Sequence, residues 1–153
     1  MSGNQEAKEL IDRYLNASFI VGKRFSTELR EHIEEELTAE QFGAMRLIRT
    51  RGKCTPTELA DAFCVGKSTI TAMISRLVTR GLIERTGDAK DRRVIYLSVT
   101  PEGEKIFQIA DEKVQGILTP YLEHFEQHEV ETFINSFERL ATLMQDAGGE
   151  HKE

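Results

Sequence analysis

The sequence predicts a mainly α-helical fold with one small β-hairpin, and three observations carry that expectation. Apolar residues recur at three- and four-residue steps through most of the 153 residues, as they do on one face of a helix. Threonine-led capping signals open several of these stretches. Only after Leu82 does the chain turn to β-branched and aromatic residues, in Ile83–Thr86 and again in Val94–Val99. Composition agrees: 30% of residues are charged, 7% are aromatic and none is tryptophan, which suits a helix-rich protein with a Leu, Ile, Val and Phe core. No apolar run could span a bilayer, and the opening MSGNQEAKEL lacks the basic-then-apolar order of a secretory signal. The expected location is the cytoplasm, with no membrane partner.

The first helix is expected from about Gln5 to Glu36. Leu10, Tyr14, Ala17, Val21, Phe25, Leu29 and Ile33 draw one apolar stripe along it. A stripe of that length on a terminal helix needs a covering surface, for which the C-terminal helices and a second subunit are both candidates. Thr38-Ala39-Glu40-Gln41 is a capping box that opens a short helix carrying Phe42, Met45, Leu47 and Ile48, closed at Arg51-Gly52. Thr55-Pro56-Thr57-Glu58 is a second such box, with proline where a missing N–H costs nothing, and it opens a helix through Phe63. After a few turning residues, Lys67–Thr79 forms the next helix, with Gly81 placed for a left-handed closure. Thr100-Pro101-Glu102 opens another helix, in which Pro120 bends or ends a turn, and a last helix is expected over about Glu129–Asp146. The terminal GGEHKE reads as a frayed polar tail.

Within this plan the stretch Gly66-Lys67-Ser68-Thr69 raises a choice. The phosphate-loop pattern G-x-x-x-x-G-K-[ST] requires a first glycine at position 61, but Asp61 stands there and a helix, not a strand, precedes it. Two short helices joined by a tight turn, the second basic and hydroxyl-rich, instead describe a helix-turn-helix. Turning the second helix at about 100° per residue puts Ile70, Ile74 and Leu77 on one side, with Ser68, Ala72, Ser75, Arg76 and Thr79 opposite. Thr69 and Thr71 fall on the flanks. Small hydroxyls beside a cation suit close approach to base edges and phosphates. A merely solvated face is the simpler reading, but Ser and Thr there forgo helix propensity that Glu or Gln would supply. Gly66 is the expected N-cap, with the leading N–H groups free to face phosphate. The two strands flank a polar loop, Gly87–Arg93, too long for a tight hairpin. A basic loop between strands after a recognition helix makes the lobe a winged helix-turn-helix, and Lys90, Arg92 and Arg93 could reach a minor groove.

The net charge of −6 seems to oppose a nucleic-acid partner, but its distribution does not. Gly66–Arg93 holds seven Lys or Arg against three acids, whereas Thr100 to the end holds four against twelve. One basic surface on an acidic body fits that division.

The strings LTAEQFGAMRLI, TPTELADAF with KSTITAMISRLVTRGLIER, and GDAKDRRVIYLSVTPEG resemble the multiple-antibiotic-resistance regulator (MarR) family of bacterial transcription factors over almost the whole chain. The wing string, with D-x-x-D-R-R, is the most specific. The resemblance implies a single MarR-type domain over 1–153: dimerisation helices at 1–36 and 101–146, and a DNA-binding lobe at 38–99. It implies a homodimer that represses a palindromic double-stranded DNA operator and is released by a small-molecule inducer. It also implies DNA contacts from Ser68, Thr69, Thr71 and Arg76, with Asp91 orienting Arg93 toward the minor groove while Arg92 meets phosphate. The open face of the recognition helix and the basic wing add Lys67, Ser75 and Lys90 to the expected DNA-binding residues. Two departures stand out: Ala72 replaces a frequent base-contacting arginine, and Cys64 occupies a turn position commonly filled by glycine. The first helix lacks the reactive cysteine of the peroxide-sensing branch.

Tyr14, Phe19, Phe25 and Met45 are the residues that could line an apolar ligand cavity, though each also reads as core. Cys54 and Cys64, with nine residues between them, match no zinc pattern and read as small buried or half-buried side chains. His124 and His128 have helix-face spacing for a metal but sit at an expected helix boundary, so surface histidines are the preferred reading. No arrangement for catalysis and no cofactor motif is found, and an enzyme is not expected. The alternatives are a helical dimer whose lobe binds protein, and a metal-responsive regulator.

Overall fold

The computed structural model describes residues 3–150. The first two and last three residues, where the leader reading begins and the tail reading ends, lie outside the described residues. In order the elements are α1 (Gly3–Ile33), α2 (Ala39–Arg51), α3 (Pro56–Phe63), α4 (Lys67–Thr79), β1 (Ile83–Gly87), β2 (Ile95–Val99), α5 (Pro101–Leu122) and α6 (Gln127–Glu150). The expected winged helix-turn-helix plan is the observed one. The chain divides into two compact units between Val114 and Gln115.

The first unit is built on one core. Leu29 and Ile33 from the end of α1 join Phe42, Met45 and Ile48 of α2, Leu59 of α3, Ile70, Met73, Ile74 and Leu77 of α4, Leu97 of β2 and Phe107 of α5. Phe42 and Phe107 stack at 5.1 Å with planes 7° apart, and the Arg49 guanidinium lies 4.4 Å from the Phe107 centroid. Ion pairs rim this contact: Arg46 with Asp111, Arg49 with Glu104 at 3.0 Å, and Lys113 with Glu36 at 2.7 Å. The two arginine pairs are open enough to water to contribute little each, whereas the Glu36 carboxylate is mostly enclosed; packing of the rings carries most of the contact.

Antiparallel β1 and β2 pair from Ile83↔Val99 to Gly87↔Ile95. Cys54 extends this hairpin, donating to the Leu97 carbonyl at 3.1 Å and accepting from the Leu97 N–H at 2.7 Å. That short bridge, which periodicity did not indicate, fixes the hairpin to the chain between α2 and α3. Gly103 opens α5 against the end of α4: a Cβ there would lie 2.0 Å from the Leu82 carbonyl oxygen. The Thr100 N–H donates to the same oxygen at 3.1 Å, and its hydroxyl accepts from the Gly103 N–H at 3.0 Å. Here only glycine allows the approach.

Several boundaries differ from expectation. α1 stops at Ile33, and Glu34–Glu36 form a turn closed by the Glu36 and Leu37 N–H groups, which both donate to the Ile33 carbonyl at 2.9 Å. Three carboxylates at the negative end of a helix oppose its dipole, which favours ending there. α5 runs through Pro120 to Leu122, and α6 extends to Glu150, through the glycines read as tail. The first capping box is complete, with Thr38 accepting from the Gln41 N–H at 3.1 Å while Gln41 accepts from the Thr38 N–H. The second is formed by half: Thr55 accepts from the Glu58 N–H at 3.1 Å, but the Glu58 carboxylate turns to Arg51 at 3.3 Å instead of reaching back.

The stripe of α1 divides. Leu29 and Ile33 are buried and Phe25 packs half-buried against the core, but Leu10, Tyr14 and Val21 stand exposed. In the second unit none of the described side chains of α6 is fully buried: Phe133, Ile134, Phe137, Leu140, Leu143 and Met144 are all exposed.

Candidate nucleic-acid interface

The geometry of the interface starts at the turn between α3 and α4. Cys64 closes α3 with φ 52° and ψ 41°, the one non-glycine residue at positive φ among the described residues. An L side chain there carries about 1–3 kcal/mol of strain, which is why glycine suits this position. Its thiol is exposed, which corrects the expectation of a buried or half-buried side chain; at this outward-facing C-cap it lies along its own helix end, donating weakly to the Asp61 carbonyl at 3.7 Å. Cys54 is buried as expected, and burial pushes its thiol pKa up.

Gly66 is the N-cap of α4 and offers no side chain to the leading N–H groups. Those groups and the helix dipole form a ready seat for an anion. Ile70, Met73, Ile74 and Leu77 anchor the helix in the core, which turns Lys67, Ser68, Thr69, Thr71, Ala72, Ser75, Arg76 and Thr79 outward. All of the predicted α4 residues therefore share one open face. The Thr71 hydroxyl donates to the Lys67 carbonyl at 2.7 Å, so its remaining outward capacity is as an acceptor. Ser75 Oγ accepts from Arg85 Nη2 at 3.4 Å and keeps its own proton to donate. Arg85, on β1, was not singled out in the sequence; only the register of the hairpin brings this strand cation beside the helix.

The wing is wired by two aspartates. Asp91 Oδ1 accepts from the Arg93 N–H at 3.0 Å and from Arg93 Nε at 3.1 Å, while Oδ2 accepts from Nη2 at 3.3 Å. The Arg93 side chain is nonetheless 91% exposed. Its guanidinium is thus oriented without being sequestered. These bonds to Arg93 hold the Asp91 carboxyl below the usual range. Lys90 and Arg92 are exposed in the same loop. Lys53, from the loop after α2, places its ammonium 4.5 Å from the Tyr96 ring centroid at the root of the wing. Neither Lys53 nor Tyr96 carried a sequence signal for this role.

The four predicted ligand residues fall in different environments. Met45 is fully enclosed in the lobe core, Phe25 is half-buried beside it, and Tyr14 and Phe19 are exposed on α1. His124 lies in the turn after α5 and His128 inside α6, so the two do not share one helix face. Among the described residues Glu28, Glu31 and His32 bring ligand atoms within 4.8 Å of one another, but these are ordinary neighbours on an exposed helix end. No described helix is long and apolar enough to cross a membrane.

A recognition helix anchored by one face, open and hydroxyl-rich on the other, beside a hairpin that presents an oriented arginine, defines a winged helix-turn-helix DNA-binding protein. Comparison with known proteins agrees. A model of the MarR family matches residues 37–95. The HTH-type transcriptional repressor MdtR of Bacillus subtilis (strain 168) is 30% identical over 132 residues, covering 86% of this chain and 83% of MdtR. A crystal structure of a mutant MarR from E. coli complexed with operator DNA is similar with a TM-score of 0.71 at 25% identity, over 85% of this chain and 94% of that one. A MepR like protein complexed with pseudoligands gives a TM-score of 0.60 at 30% identity, over 89% of this chain and 96% of that one. The chain belongs to the MarR family and is a DNA-binding transcriptional regulator.

Proposed function

We propose that the protein is a homodimeric, cytoplasmic repressor of a palindromic operator, released by a small apolar or aromatic molecule. Ser68, Thr69, Thr71, Ser75 and Arg76 read the major groove, Lys67 meets phosphate at the start of α4, and Arg93 enters the adjacent minor groove with Lys90 and Arg92 on its backbone. The observation that carries this reading is the open face of α4, where hydroxyls and Arg76 stand exposed above a fully apolar anchor. Repression is supported by MdtR, a transcriptional repressor, and operator binding by the E. coli MarR complex. The exposed apolar residues of α1 and α6 support a second copy as their cover, since a monomer rarely leaves so much apolar surface wet. Tyr14, Phe19, Phe25 and Met45 remain the proposed ligand residues, and the pseudoligands bound by the MepR like protein support a small-molecule effector.

Release then follows from population shift. A ligand that prefers lobe spacings mismatched to the roughly 34–36 Å between successive major grooves weakens binding without touching DNA. The test is binding to a palindromic duplex, recovered by selection from random-sequence DNA, at two salt concentrations. Specific binding should fall steeply with salt, because cations on phosphates supply most of the affinity. Arg93→Ala should cost about 1–3 kcal/mol of operator affinity while dimer and fold persist. Unchanged affinity would remove the wing from the interface.

A further inference from the structure

The wing holds a second aspartate that no part of the DNA-reading surface uses. Asp88 opens the loop, where its N–H donates to the Val94 carbonyl at 3.0 Å and so closes the loop on itself. Its carboxylate Oδ1 accepts from the Lys90 N–H at 2.7 Å and from the Asp91 N–H at 3.3 Å. Asp91 then repeats the same turn one step further, accepting from the Arg93 N–H. The loop is therefore two side-chain-to-backbone turns in series, and the first sets the backbone from which the second starts. Behind it, Asp88, Lys90, Lys53 and Tyr96 line a depression of about 560 Å³ at the root of the hairpin. Tyr96 stands opposite Thr86 in the register, one pair in from the loop, so its ring is fixed by the strand pairing.

We infer that Asp88 is a positioning residue for Arg93: it fixes the backbone of Lys90 and Asp91, and through Asp91 it sets where the guanidinium points. Lys53 and Tyr96 brace it from the hairpin root, the ammonium over the ring and the phenol beside the carboxylate. Asp88 itself touches no DNA. Its carboxyl pKa is held low by the Lys90 N–H first and by the Tyr96 hydroxyl next, and Tyr96 is pushed up in return, as a pair sharing one proton requires. This inference rests on the reading of Arg93 as a minor-groove contact.

The test is a double-mutant cycle in the full-length protein, with affinity measured for the selected operator duplex. Arg93→Ala alone tests the wing reading. Asp88→Ala should weaken binding about three- to thirtyfold, and in the Arg93→Ala background it should cost less than about twofold more, because its effect runs through that arginine. Asp88→Asn keeps an acceptor oxygen for both N–H groups and should stay within about threefold of the parent protein. Tyr96→Phe, which retains the ring beneath Lys53, should cost less than Asp88→Ala. Additive losses from Asp88→Ala and Arg93→Ala would overturn the inference, as would Asp88→Ala binding like the parent while Arg93→Ala is weakened. No loss from Arg93→Ala would overturn the wing reading and the inference together. Should Asp88→Ala fail to fold, Tyr96→Phe in the same cycle decides, with additivity again counting against the inference.

Discussion

The winged lobe and the last helix use similar residues to opposite ends. In the lobe, Ile48, Leu59, Leu77 and Leu97 are wholly buried, and every helix is held by a face it shares with another. In α6, Phe137 and Leu140 repeat at helical spacing just as regularly but remain 49% and 37% exposed. The sequence pattern is alike in both; what differs is whether this chain supplies the opposite face. An apolar stripe is a statement that something will cover it, not that the same chain will. The lobe's stability should therefore be a property of one chain, while that of α6 should depend on concentration if a second copy covers it.

Leu77→Ala should give the largest effect. It empties a fully enclosed site between α4 and the rest of the core, and should cost about 2–5 kcal/mol in chemical denaturation. That loss should be the same at every protein concentration. A loss of under about 0.5 kcal/mol, the range of surface changes, would place α4 outside the cooperative core.

Gly103→Ala comes next. The added Cβ would meet the Leu82 carbonyl oxygen at 2.0 Å and Val99 Cγ1 at 2.8 Å, so α5 must move away from the end of α4. Overpacking of this kind costs about 1–3 kcal/mol, read as a lowered melting temperature. Because the crowded oxygen belongs to backbone, rotamer change cannot relieve it. An unchanged melting temperature would mean that the start of α5 is loosely held.

Phe137→Ala should behave differently from both. Where the chain is dilute enough to be monomeric, its stability should change by no more than about 0.5 kcal/mol. Where the parent protein is dimeric, the variant should dissociate at higher concentration, since aromatic residues at the centre of an interface carry much of its energy. Sedimentation across a concentration series separates the two regimes. A concentration-independent loss as large as that of Leu77→Ala would mean that α6 is covered by its own chain, and the contrast between the two regions would fail.

The same contrast explains how far the sequence could be read. Local chemistry is legible: Thr38 with Gln41, Thr55 with Pro56, Gly66 and Gly81 mark helix ends because caps depend on residues a few positions apart. The buried side of α4 was legible from periodicity, and its open side followed by subtraction. Two kinds of feature were not. The Cys54–Leu97 bridge and the Arg85–Ser75 contact depend on pairing between distant segments, which no window of sequence displays. The fate of an apolar residue was the other: Met45 and Tyr14 both read as candidates for core or cavity, and only the packing separates an enclosed side chain from an exposed one.

The smallest expected effect concerns pH, and it sharpens the contrast from the wing. Asp88 and Asp91 are partly exposed groups whose carboxyl pKa values lie below the ordinary 3.8, Asp88 through backbone N–H groups and Tyr96, Asp91 through Arg93. A depressed value in the folded state means that the ionised form is favoured by the fold. The contribution is complete above the unfolded value and disappears only as pH falls through the lower folded values. Wing geometry should therefore be constant from neutral pH down to about pH 5, with side-chain carboxyl resonances of both residues titrating below 3.8 in an NMR series. Operator affinity that changed between pH 5 and 8 would have to take its proton elsewhere in the molecule. A midpoint above 3.8 for Asp91 would show instead that the Arg93 guanidinium is not held by that carboxylate in solution, and the wing would then meet DNA with its arginine unoriented.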